Sequence, residues 1–101
     1  MSSGKPTREE FSGIFDGLAQ EYYELLLPIL GYDQLVGIRQ LRGCGEPFHA
    51  LHYLIRGADN LAVDVPGDLH VRTVTAIDAL ETPFNPIVED IMMRINNYAP
   101  A

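Results

Sequence analysis

The sequence predicts an all-α protein, a compact bundle of four to five short helices forming one small globular domain over residues 1–101. Three observations point there. Apolar residues recur at three- and four-residue spacing through most of the chain, the mark of a helix with one buried face. Proline stands at the head of three segments, in "GEPFHAL", "DVPGDL" and "NPIVED", where its missing amide proton costs a helix nothing. The stretch richest in β-branched residues has no confident partner strand, and an isolated two-stranded hairpin is marginal in water.

The first segment opens at Thr7, which forms a capping box with Glu10. Phe11, Ile14, Phe15, Leu18, Tyr22, Leu25, Leu26 and Ile29 then lie on one stripe. Gly13 and Gly17 each weaken a helix by up to about 1 kcal/mol relative to alanine and would let another helix approach closely. Pro28 cannot donate to the Glu24 carbonyl, so a kink or an early end is expected there, and Gly31 stops the segment. Tyr22 and Tyr23 are adjacent, so at most one is expected fully inside, leaving the other as an interface anchor. Asp33 is expected to cap a short second helix, roughly 34 to 42, carrying Leu35, Val36, Ile38 and Leu41; "QLVGIRQL" is also readable as a strand.

Gly43, Cys44 and Gly45 break the chain before a third helix that starts at Pro47. Glu46 beside it complements the positive helix end. Phe48, Leu51, Leu54, Ile55 and Ala58 give the helical spacing, and Gly57 with Asn60 supplies the stop. Residues 61–80 are the ambiguous stretch. As β, "LAVDV" and "LHVRTVT" flank a Pro-Gly turn, giving an α+β alternative with a hairpin. As α, a helix starting at Pro66 puts Leu69, Thr73, Ala76, Ile77 and Leu80 on one side. The helix is preferred. In the last segment Asn85 caps, Pro86 starts, and Ile87, Val88, Ile91, Met92 and Ile95 form the stripe.

Fourteen acids against seven bases leave a net charge of −7. Nucleic acid, which is bound by neutralising phosphates, is excluded, and anionic membrane surfaces are disfavoured. No apolar run is long enough to cross a bilayer. The N-terminus "MSSGKPTREE" has no apolar core and is not a secretory signal, and one cysteine forms no internal disulfide, so a cytoplasmic home is expected. A basic protein partner is favoured, because opposite charge accelerates encounter.

Chemistry-bearing residues are few. His49 and His52 share a helical face with Cys44 a few residues before them, and His70 is the third histidine. One thiol and two imidazoles are an incomplete zinc set, and "HALH" matches no metal motif, so no metal or other cofactor is expected. Cys44 precedes a helix N-terminus, where a thiolate is stabilised, but the spacing requires no base beside it; the chain is expected not to be an enzyme. Asp64 with Asp68, and Asp78 with Glu81, are carboxylate pairs at helical spacing and read as an acidic face. From Glu46 onward there are eight acids against three arginines.

Gly45-Glu46-Pro47, then Ala50-Leu51 and Leu54, followed by the acidic "VDVPGDL" and a further helix, resemble the MafI-like family of small bacterial immunity proteins. The resemblance covers residues 43–80. It implies a small acidic protein that neutralises a polymorphic toxin without cofactor or catalysis, and its matching positions are structural. The expectation is therefore a cytoplasmic inhibitor that steers to a basic toxin domain and buries an anchor against it. The candidate partner-binding residues are Asp59, Asp64, Asp68, Asp78 and Glu81, with Tyr53 as anchor. The alternative is a homodimeric structural or regulatory module built on the glycine-notched first helix.

Overall fold

The computed structural model describes residues 8–31, 33–80 and 85–97. Among them there are five α-helices and no strand: α1 (Arg8–Leu30), α2 (Val36–Gly43), α3 (Pro47–Asn60), α4 (Gly67–Leu80) and α5 (Pro86–Asn97), with a 3-10 turn at Asp33–Leu35 before α2. The all-α bundle is the predicted class, and residues 67–80 are helical, so the hairpin alternative is not adopted. Among the described residues no helix is long and apolar enough to cross a membrane.

α1 and α3 form the centre. They pack on each other more extensively than any other pair; α2 and α5 lie against α3, and α4 lies against α1 and α5. Leu26, Leu51, Leu54, Ile55, Ile91 and Ile95 are wholly buried where these helices meet, each contributing about 1.5–3 kcal/mol by leaving water. Phe48 of α3 meets Phe15 of α1 edge-on at 5.0 Å between ring centres.

The buried face of α1 is turned from the expected stripe towards Ala19 and Tyr23. Ala19 is wholly buried, whereas Ile14 and Ile29 are 41% and 54% exposed. Tyr22 alone of the adjacent pair is fully inside, as expected, but Tyr23 keeps only 8% of its surface and is therefore not the exposed interface anchor the sequence suggests. An apolar face wider than about 100° takes neighbours on either side of its centre line. The Tyr22 hydroxyl lies 3.4 Å from Thr73 Oγ1, and Thr73, also wholly buried, donates to the Leu69 carbonyl at 2.7 Å.

Helix ends follow local chemistry. α1 continues through Pro28 to Leu30 rather than ending early, because Pro28 sits in the last turn, where a single lost donor interrupts little. Gly31 then takes φ +83° and donates to the Leu27 carbonyl at 2.9 Å. The second helix starts later than expected, at Val36, after the 3-10 turn that begins at Asp33. α2 ends in a Schellman motif: Gly45, at φ +78°, donates to Arg42, and Glu46 donates to Leu41. α3 ends the same way, with Ala62 at φ +53° donating to Asp59 and Val63 donating to Ala58. The helix thus ends at Asn60 as expected, but the left-handed residue that closes it is Ala62 and Gly57 has no part in the stop. Gly57 lies inside α3 because α1 crosses there: a Cβ on it would stand 3.3 Å from Leu26 Cδ1. Asn85 caps α5 as expected, its Oδ1 accepting from Ile87 N–H at 2.9 Å. The capping box at Thr7, Tyr32 and Tyr98 lie outside the described residues.

Candidate protein-docking surface

Each outer helix carries one arginine that fastens it to the central pair. Arg42 of α2 grips Asp16 of α1 through Nε at 2.8 Å and Nη2 at 3.1 Å, and donates to Gln20 at 2.6 Å. Arg72 of α4 holds Glu21 of α1 through Nη2 at 2.7 Å and Asp68 of its own helix through Nε at 2.9 Å. Arg94 of α5 donates to Asp90 at 2.9 Å and to Asp59 of α3 at 3.0 Å. Two-pronged arginine–carboxylate contacts fix orientation as well as charge. Hydrogen bonds from Arg42 and Arg72 hold the Asp16 and Glu21 carboxyls below their usual range. Asp90 is lowered first by His52, whose Nε2–H donates to it at 2.6 Å, and then by Arg94.

These pairings neutralise the three arginines against carboxylates of the fold. Glu9, Asp33, Asp64, Asp78 and Glu89 are exposed and have no ion pair with another described residue. Arg56 is an exposed arginine in the same condition. The surface left to a partner is therefore acidic.

The expected docking residues are not one patch. Asp59 is turned to Arg94 and its side chain is only 18% exposed. Asp68 is 81% exposed although Arg72 reaches it, and it lies on the outer stripe of α4 with Val71, Thr75 and Asp78. Asp64 is exposed in the loop before α4. Tyr53 is half exposed on the flank of α3 that faces α2, where it lines a shallow hollow of about 340 Å³ with Ile38 and Leu41. Glu81 lies outside the described residues.

The structure brings together something else. Between α1 and α4 runs an apolar groove of about 470 Å³. Gly13, Gly17 and Ile14 form its α1 wall, and Thr75, Ala76 and Ala79 its α4 wall, with Phe11 and the Glu21–Arg72 pair also lining it. A Cβ built on Gly13 or Gly17 meets nothing within 4 Å. The glycine spacing was visible in the sequence, but the alanines that face it lie some sixty residues away, so pairing them required the fold.

The histidines are not gathered. His49 bonds Glu46 at 2.9 Å, His52 bonds Asp90, and His70 Nδ1 is buried without a hydrogen-bond partner among the described residues. Cys44 is exposed at the C-cap of α2. Among the described residues no three histidine, cysteine, aspartate or glutamate side chains converge on a metal position.

Fold and surface together define a class, a small all-α protein with an acidic exterior and an open apolar groove. Comparison with protein-family models, curated proteins and solved structures finds no match.

Proposed function

We propose that the chain is an acidic binding protein that occupies and blocks a basic protein domain, most concretely an immunity protein against a toxin. The observation that carries this reading is the placement of charge. Arg42, Arg72 and Arg94 are each paired with carboxylates of the fold, while Glu9, Asp33, Asp64, Asp78 and Glu89 are exposed with no ion pair to another described residue, in a chain of net charge −7. Such a surface draws in a basic partner and repels nucleic acid. The "GEPFHALHYL" opening of α3 adds the resemblance to MafI-like immunity proteins. No cofactor and no catalytic step belong to this reading, and the protein acts in the cytoplasm, where its target would do harm.

The test is retention on the immobilised protein from lysate of its own host, followed by mass spectrometry. One basic protein held stoichiometrically and released as salt rises is the expected result. With that protein in hand, reversing charge at Asp64 and Asp78 should slow association several-fold and flatten its salt dependence. Cys44→Ser should bind unchanged. Failure to retain any basic protein at low salt would overturn the proposal.

A second reading, a homodimeric module, is favoured by one observation: the Gly13–Gly17 notch is open. A mass in sedimentation equilibrium that stays monomeric across concentration removes it.

A further inference from the structure

Two helices packed side by side ordinarily fill the seam between them with interleaved side chains. The seam between α1 and α4 is not filled, because the residues facing it are small on both sides: Gly13 and Gly17 on one helix, Ala76 and Ala79 on the other. What remains is an apolar trough of about 470 Å³, within the range of cavities that hold ligands. Ile14 stands on its α1 side, 41% exposed despite being a large aliphatic side chain.

The charges around the trough say what fits it. Arg72 stands at its edge, but Glu21 and Asp68 both hold it. Asp68 keeps 81% of its side chain in water, so at this edge two carboxylates stand against one guanidinium. The rim is therefore net acidic over an apolar floor. A second copy would set this rim against a body that also carries −7, and an anionic lipid surface would be repelled in the same way. Apolar side chains flanked by lysine or arginine meet both demands, and an amphipathic helix presents them together.

We infer that the α1–α4 groove seats the apolar face of a basic amphipathic helix from the partner protein, whose cationic side chains meet Glu21 and Asp68 at the rim. The inference rests on the basic-partner reading above and adds where the anchor goes. Tyr53, on the far flank of α3, is not part of this contact.

The probe is a synthetic lysine–leucine peptide of helical periodicity with a single tryptophan on its apolar face. The protein has no tryptophan, so emission excited at the red edge reports the peptide alone. Titration into the full chain should give a saturable blue shift at one peptide per protein, weakening as salt rises. Gly17→Leu fills the trough without changing charge and should weaken binding at least tenfold. Leucine at this open helical position is a better helix former than glycine, so the variant should melt no lower than the parent, separating lost binding from lost fold. Asp68→Lys, at a side chain 81% exposed, should weaken binding and reduce its salt dependence.

Equal affinity of Gly17→Leu and the parent overturns the groove assignment. If Asp68→Lys and salt still weaken that binding, the acidic-surface reading survives without the groove. Equal binding of a peptide with glutamate in place of lysine overturns the charge argument. No binding of the lysine peptide also overturns the assignment, and the lysate experiment then judges the wider reading separately. A concentration-dependent dimer abolished by Gly17→Leu would make a second copy the occupant and overturn the assignment.

Discussion

Ala62 holds a backbone conformation that alanine rarely takes, with φ at +53°. Gly31 and Gly45 occupy the corresponding positions after α1 and α2 at φ +83° and +78°, where the absence of Cβ makes the left-handed turn inexpensive. Ala62→Gly is therefore expected to stabilise the protein by about 0.5–1 kcal/mol, since relief of left-handed strain exceeds the added freedom of the unfolded chain. Urea denaturation measures this, and a midpoint that stays or falls contradicts it. At the same scale, Tyr22→Phe removes a hydroxyl that lies beside Thr73 in the core. Thr73 keeps its bond to Leu69, so the loss is expected at about 1 kcal/mol or less. A loss well above that would mean the hydroxyl supports more than this one contact.

Helix starts and stops were largely legible because their causes are local. Asn85 before Pro86, Gly45 before Glu46-Pro47, and Gly31 after Leu30 each announce a boundary through their own backbone or side-chain chemistry. Asn85→Ala should cost about 1 kcal/mol by orphaning the first amides of α5, and a thermal scan showing no change would mean the cap is idle. Features that depend on a partner helix were not legible. Gly57 looked like a stop because nothing near it in sequence shows that Leu26 crosses there. The turn of the α1 face towards Ala19 and Tyr23 depends on which helices cover it. The fate of the expected docking residues divides in the same way. Asp68 and Asp78 are exposed on α4 as their spacing implies, whereas the sequence offers Asp59 as a surface acid and does not show its pairing with Arg94, 35 positions further on.

For the whole molecule, the clamps predict behaviour in acid. Asp16, Glu21 and Asp90 have carboxyl pKa values lowered by bonds from Arg42, Arg72 and His52 respectively. A carboxylate lowered in the folded state contributes stability that is fully present above its ordinary value, 3.8 for aspartate and 4.5 for glutamate. That stability is lost as pH falls through the lowered value. The melting temperature should change little on this account between pH 7 and 5, then fall below about pH 4. Asp90→Asn, less stable at neutral pH, should fall less steeply in acid; a parallel fall would mean other groups govern the acid limb.

α2 contains no buried residue, and that has a consequence in time as well as in energy. Leu35 just before it is wholly inside, and Arg42 near its end is bolted to α1, so the helix is tethered at both ends and supported little between. Its amides should exchange with deuterium by small openings that leave the remainder folded, while those in the middle of α1 wait for the entire bundle to come apart. Because one tether is ionic and partly in water, added salt should quicken exchange in α2 before it is felt at Tyr22 or Leu26.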